Sequence, residues 1–140
     1  LSGYSNVRRE VRYGTNSRID FLLSDETRPP AYIEIKNVHL SRTEGLAEFP
    51  DSVTARGTKH LAELSTMAQN GQRAVMLYLI QRDDASELAL ARDIDPAYGA
   101  AFDHARRSGV EMVAYDCHVS PEEITVGRRI PIRDLGDDAG

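Results

Sequence analysis

The seven consecutive apolar residues from Ala74 to Ile80 constrain the fold more than any other segment of the chain. An unbroken run of this length is too short to cross a membrane as a helix, and it is typical of a strand that is buried on both faces. A strand of this kind needs other elements packed on its sheet. The chain is therefore predicted to be an α/β protein with a mixed sheet flanked by helices.

Helices are predicted on both sides of this strand in the sequence. Thr54 to Gln69 has apolar residues at helical spacing and begins at a suitable N-cap. A second helix is predicted from Asp95 to Arg107, because a proline in its first turn fits a helix start. Ser5 to Tyr13 is also interpreted as a helix, with Gly14 as its terminator.

The remaining predicted elements are strands, and they complete the order helix, hairpin or meander, helix, strand, helix, strand. The segment from Asp83 to Asp93 is interpreted as a polar connection. The predicted strands are Arg18 to Ser24, Ala31 to Val38, Leu46 to Phe49, Val110 to Val119 and Ile130 to Ile132.

Length and charge favour a single domain with a mildly basic first part. The chain has 140 residues and a net charge of −5, which argues against a protein that coats nucleic acid. Residues 1–82 contain 11 Lys and Arg against 9 Asp and Glu, and residues 83–140 contain 6 against 13. The single Cys117 excludes a disulfide within the chain and is compatible with a reducing cytoplasm.

Three charged residues lie in two predicted strands that are otherwise mostly apolar. Glu34 and Lys36 share one side of their strand, roughly 6.6 Å apart along it, and Asp20 is the one acid in its apolar run. Charges in such strands are costly unless they are paired or bind a metal. Two carboxylates suit a hard cation such as Mg²⁺ (or Mn²⁺), and a neighbouring lysine can orient a water molecule on a phosphodiester.

Glu10 is a candidate third carboxylate, predicted near the end of the first helix, that completes this site. The alternative interpretation is structural. In that interpretation Glu34 and Lys36 form an exposed ion pair, and Asp20 pairs with an arginine.

Basic residues near the predicted site are candidates for contacts with nucleic-acid phosphates. Two of them also have structural interpretations. Lys59 can form a surface ion pair with Glu63, four residues along its helix, and Arg82 can simply mark the end of a strand that leaves the core. His60 is interpreted as a surface or packing histidine. The candidate nucleic-acid-binding residues are Arg8, Arg12, Arg18, Arg56, Lys59 and Arg82.

Several consecutive motifs resemble the sugar fermentation stimulation protein family. They include Asn16 to Leu23, Tyr32 to Val38, Ala47 to Leu61, Gln81-Arg82 and Ile94 to Tyr98. The resemblance implies a bacterial or archaeal cytoplasmic protein with an N-terminal OB-like domain, expected outside this chain. Residues 1–135 then correspond to the family's C-terminal domain, similar to the PD-(D/E)xK nuclease fold with core order αβββαβ, and 136–140 to a flexible tail.

The same resemblance assigns roles to individual residues. Asp20 corresponds to the first strand acid, Glu34 and Lys36 to the E-x-K pair, and Glu10 to the helix acid, while Ile19 stands where the motif has proline. The metal ligands are then Asp20 and Glu34. The partner implied is nucleic acid, with DNA favoured, and no membrane partner is expected.

Two functions stay open at the sequence level, with a weaker third. The first is a Mg²⁺-dependent nucleic-acid hydrolase, favoured because all three residue types of the site are intact. The second is a non-catalytic DNA-binding regulatory protein linked to sugar metabolism. The third is an interaction domain whose partner docks on the acidic second half.

Overall fold

The computed structural model describes residues 6–13, 17–25, 28–119 and 124–133, with side chains described for 31–117 and 126–133. Nine strands and two helices lie within these residues. In chain order they are β1 (Asn6–Tyr13), β2 (Ser17–Asp25), β3 (Arg28–Val38), β4 (Leu40–Thr43), β5 (Leu46–Phe49), α1 (Ala55–Gln69), β6 (Arg73–Ile80), β7 (Glu87–Leu90), α2 (Pro96–Ser108), β8 (Glu111–Val119) and β9 (Ile124–Arg129).

Six strands form one mixed sheet in the order β1-β2-β3-β6-β8-β9. The central strands β3, β6 and β8 are parallel, and the pairs β1–β2, β2–β3 and β8–β9 are antiparallel. A second, small sheet has the order β4-β5-β7. The predicted mixed α/β architecture is confirmed.

Both helices pack on the same face of the main sheet, because each connects two neighbouring parallel strands in the same direction. The main core contains Leu61 and Leu64 of α1, Phe102 of α2, and Met76 and its neighbours on one face of β6. Val75, on the opposite face of β6, belongs to a smaller apolar cluster. Since Val75 and Met76 are both fully buried, the prediction of a strand buried on two faces is confirmed.

The predicted helix boundaries are confirmed at both helices. Thr54 caps α1, with its hydroxyl accepting a hydrogen bond from the Gly57 amide at 2.9 Å. Gly71 follows the end of α1 with φ +84°, and Gly109 ends α2 with φ +107°. These left-handed conformations suit glycine, which has no Cβ to clash.

The predicted helix from Ser5 to Tyr13 is wrong over the described residues, which form β1. The alternation of Val7, Val11 and Tyr13 with the polar Arg8 and Arg12 has the period of a strand, and β-branched and aromatic residues favour strands. The helix interpretation relied on terminal signals alone. The first three strands of the main sheet are therefore β1, β2 and β3, and no helix precedes them within the described residues.

The short strands were also predicted incompletely. The polar connection from Asp83 to Asp93 contains β7, which pairs in parallel with β5 in the small sheet. At the carboxyl end, the strand predicted at Ile130 to Ile132 is wrong: β9 lies at Ile124–Arg129, and Ile132 forms only an isolated bridge to Leu88. The expected tail at 136–140 lies outside the described residues. None of the described helices is long and apolar enough to span a membrane.

One buried carboxylate links the starts of the two helices. Asp95 is 3% exposed and caps α2 by accepting a hydrogen bond from the Tyr98 amide at 3.1 Å. Its other oxygen accepts a hydrogen bond, at 2.8 Å, from the amide of Thr54, the residue that caps α1. The position of α1 over the sheet therefore depends on Asp95.

We expect Asp95→Ala to lower the free energy of unfolding by about 2–4 kcal/mol, since it removes a helix cap and leaves the Thr54 amide without its acceptor. Asp95→Asn keeps one acceptor oxygen and is expected to lose less. Urea denaturation of the two variants and the wild type measures both changes. Equal losses in the two variants would contradict the role of Asp95 as a double acceptor.

Candidate active site

Glu34 and Lys36 lie on the face of β3 that packs beneath α1. In the parallel register they neighbour Met76 and Tyr78 of β6, which are core residues of the same face. Ile33 belongs to the apolar cluster of the opposite face, as the alternation predicts. Glu34 is only 3% exposed, so the alternative of an exposed Glu34–Lys36 pair is wrong.

His60 of α1 joins these two residues into one cluster. Its Nδ1 lies 2.9 Å from Oε1 of Glu34 and 2.9 Å from Nζ of Lys36. The same Oε1 lies 3.5 Å from the Lys36 ammonium. His60 is 5% exposed, Glu34 is 3% exposed and the Lys36 side chain is 16% exposed, so the cluster is largely shielded from solvent.

The interpretation of His60 as a surface or packing residue missed this role. A signal was present in the sequence, because His60 occupies the position one turn before Leu64 in the apolar stripe of α1. A polar residue in such a stripe is buried and needs a hydrogen-bond partner. The identity of that partner depends on how α1 packs on β3, which local spacing does not reveal.

The second carboxylate oxygen of Glu34 is the unusual atom of the cluster. Oε2 is buried and has no hydrogen-bond partner among the described residues, although Oε1 has two close neighbours. A buried, unpartnered carboxylate oxygen costs free energy of folding. Such an atom is a candidate ligand for a cation.

The two strands next to β3 in the main sheet carry two further acidic residues. Glu10 of β1 and Asp20 of β2 take opposing backbone positions in the antiparallel register, which is continuous on both sides of them. The paired register of β2 and β3 ends at Phe21 and Ile33, and Asp20 and Glu34 are the next residues of the two strands. Glu10 belongs to a strand and not to the predicted helix.

Within the side chains described, at 31–117 and 126–133, no three His, Cys, Asp or Glu residues converge in a way that could hold a metal ion. The side chains of Glu10 and Asp20 lie outside those ranges. Of the three candidate carboxylates, Glu34 is therefore the one whose side chain the structure describes.

The candidate phosphate-binding residues fall into three groups. Arg12 and Arg18 are register partners in β1 and β2, two positions from the Glu10–Asp20 pair, and Arg8 also lies in β1. On α1, Arg56 and Lys59 are exposed, and Lys59 lies 4.0 Å from Glu63. Arg82 forms an ion pair with Asp84 at 2.8 Å.

Two buried phenols lie on the same side of the sheet as the cluster. The hydroxyls of Tyr78 and Tyr98 are 2.6 Å apart. Burial raises the pKa of both phenols, and the negative charge of Glu34 further raises the pKa of Tyr98. Both therefore stay protonated near neutral pH, and neither adds a second negative charge beside Glu34.

A family model, the sugar fermentation stimulation protein RE domain, matches residues 1–123. The chain belongs to the sugar fermentation stimulation protein family. The resemblance that the sequence motifs carry is thereby confirmed.

Curated members of the family cover nearly all of the chain. The homologs of Roseobacter denitrificans and Dinoroseobacter shibae are 60% identical over 133 residues and 55% identical over 132 residues. These alignments include 95% and 94% of this chain but 57% and 54% of the relatives. The chain thus spans just over half the length of the curated relatives it matches.

A solved member of the family has the same fold. The structure of Pyrococcus furiosus SfsA in complex with Ca²⁺ matches with a TM-score of 0.82 and 28% identity. The match covers 90% of this chain and 54% of that chain. It confirms the mixed sheet flanked by helices.

The energetic role of the Glu34–Lys36 pair can be measured directly. We expect Lys36→Met to lower the free energy of unfolding, because it leaves a buried carboxylate without its cation. The double variant Glu34→Met/Lys36→Met is expected to be more stable than Lys36→Met but less stable than the wild type, since it removes the uncompensated charge and leaves Nδ1 of His60 without either partner. Urea denaturation checks this, and a double variant less stable than Lys36→Met would contradict it.

Proposed function

We propose that this chain is a metal-dependent nucleic-acid hydrolase domain. The observation that carries the proposal is Oε2 of Glu34, a buried carboxylate oxygen beside Lys36 that has no hydrogen-bond partner among the described residues. Maintaining such an atom is costly in a fold that needs it only for packing. A cation-binding role accounts for that cost.

The residues present fit a hard divalent cation. Mg²⁺ and Mn²⁺ prefer carboxylate oxygens, and Mg²⁺ is commonly held by one or two carboxylates. Asp20 and Glu34 are the residues that follow the last register pair of β2 and β3, and Glu10 opposes Asp20, so we propose that Asp20 joins Glu34 as a ligand and that Glu10 assists. Pyrococcus furiosus SfsA was solved in complex with Ca²⁺, another hard cation, which supports the binding of a divalent cation by this chain.

The proposed roles follow from the chemistry of each side chain. A bound cation supplies a Lewis acid that polarises a phosphoryl oxygen and lowers the pKa of water. Lys36 orients the attacking water and offsets negative charge that develops on the phosphate. Arg8, Arg12, Arg18 and Arg56 contact the phosphates of the bound strand, and DNA in the cytoplasm is the proposed substrate.

One observation favours a second function. Nζ of Lys36 lies against His60 and Glu34, so its described contacts are made within the protein. A domain that binds DNA without turnover, and acts in the regulation of sugar metabolism, has no need of a lysine directed at substrate. This non-catalytic binding module is the alternative to the hydrolase.

Cleavage of a plasmid or an oligonucleotide in Mg²⁺ or Mn²⁺ distinguishes the two functions. We expect Glu34→Gln and Lys36→Met each to reduce the rate by at least about 100-fold, the scale of a lost group in proton transfer or charge stabilisation. Glu44→Gln, in the exposed turn between β4 and β5, is the matched control and is expected to cleave like the wild type.

Undiminished cleavage by both site variants would overturn the hydrolase assignment. The binding module predicts a different pattern, in which no variant cleaves and gel retardation of DNA survives both substitutions. In that case the affinity is expected to fall steeply with salt, because phosphate contacts release counterions.

Cation binding is testable without nucleic acid. We expect Mn²⁺ or Ca²⁺ at 100 times its dissociation constant to stabilise the protein by about 2.7 kcal/mol, and a chelator to reverse the effect. Thermal unfolding measures this stabilisation in the wild type and in Glu44→Gln. The same gain in Glu34→Gln would show that the cation binds elsewhere.

A further inference from the structure

His60 makes contacts that packing alone does not require. A buried imidazole is satisfied by one hydrogen bond at each ring nitrogen. Here a single nitrogen, Nδ1, lies 2.9 Å from Oε1 of Glu34 and 2.9 Å from Nζ of Lys36, the proposed metal ligand and the proposed water-orienting lysine.

Nδ1 serves these neighbours in different ways. With a hydrogen attached, it donates to Oε1 of Glu34, and without one it accepts from the ammonium of Lys36, which has donors only. One ring nitrogen cannot do both at once. The imidazole is therefore a shared partner that holds either the carboxylate or the lysine, with the second group kept within 3.5 Å of the first.

These contacts also determine which oxygen of Glu34 is left for a ligand. Oε1 has both His60 and Lys36 beside it, so rotation of the carboxylate about its last torsion is restricted. Oε2 is the oxygen that remains without a partner among the described residues. Hydrogen bonds of this kind orient carboxylates that bind metals.

The helix that carries His60 is well placed to hold such a geometry. Its start is fixed by the Thr54 cap and by Asp95, and Leu61 and Leu64 are fully buried against the sheet. A side chain on a packed helix is positioned more accurately than one on a loop. The packing of α1 therefore fixes the position of the His60 ring relative to Glu34 and Lys36.

We propose that His60 is a positioning residue of the site: its Nδ1 accepts a hydrogen bond from the ammonium of Lys36 and keeps that ammonium beside Oε1 of Glu34, so that Oε2 of Glu34 is presented to a divalent cation. It acts through these two residues and does not contact substrate. The inference deepens the proposed function and rests on it for the identity of the ligand. The contact with Lys36 can be tested without metal or substrate.

The first test follows the ammonium of Lys36 by NMR. The chain contains only two lysines, so ¹⁵N-lysine labelling gives two signals, and Lys59→Met identifies them. We expect the ammonium protons of Lys36 to exchange with water at least about 10-fold faster in His60→Leu, since a hydrogen bond to a charged group is lost. His104→Leu, at an exposed histidine of α2, is the matched control.

Two conservative variants separate positioning from packing. The amide of Asn reaches the place of Nδ1, whereas the longer Gln carries the same amide farther from the backbone. We expect His60→Asn to keep slow exchange at Lys36 and His60→Gln to lose it. If His60→Leu does not fold, this pair decides the question, and equal exchange in the two variants would overturn the inference.

The second test measures Ca²⁺ affinity by calorimetry. We expect the affinity to fall about 10- to 100-fold in His60→Leu or His60→Gln, the effect of removing a partner of a metal ligand, and to stay near the wild-type value in His60→Asn. Wild-type affinity in folded His60→Gln would overturn the inference. If the wild type binds no cation, the proposed function fails, and fast exchange at Lys36 in the wild type overturns the positioning role as well.

Discussion

The burial of the Glu34 carboxylate is the constraint on which the rest of the site depends. A carboxylate that is 3% exposed is expensive unless nearby groups compensate its charge and its hydrogen bonds. Lys36 supplies the opposite charge from the same strand, and His60 supplies a ring nitrogen from α1. The hydrogen bonds of the carboxylate are only partly compensated, because Oε2 has no partner among the described residues. That oxygen is therefore available to a ligand.

The Glu34 carboxylate is buried because the fold holds α1 over β3. Asp95 links the starts of α1 and α2, and Phe49 of the small sheet packs on Tyr78 and Tyr98 at ring distances of 5.5 and 5.2 Å. These aromatic contacts fill the space between the small sheet, α2 and β6. The main sheet adds β1 and β2 on the other side of β3, and with them Glu10 and Asp20.

Local patterns in the sequence predicted much of this arrangement. The alternation around Glu34 and Lys36 and the capping of α1 are short-range signals, and both were confirmed. The strand β1 was missed because terminal signals were weighed above its period of two, and β4 and β7 are too short to show a period. The apolar stripe of α1 indicates that His60 is buried, but its partners were not predictable, since they lie more than 20 residues away and meet it only through packing. The metal-binding role of Asp20 stays a prediction.

A crystal structure with Mn²⁺, located by its anomalous scattering, tests the central claim most directly. The account predicts one strong peak within coordination distance of Oε2 of Glu34, with Asp20 as a second protein ligand and His60 still beside Oε1 of Glu34. A peak elsewhere on the surface, or an Oε2 that contacts only protein atoms at saturating Mn²⁺, would contradict it.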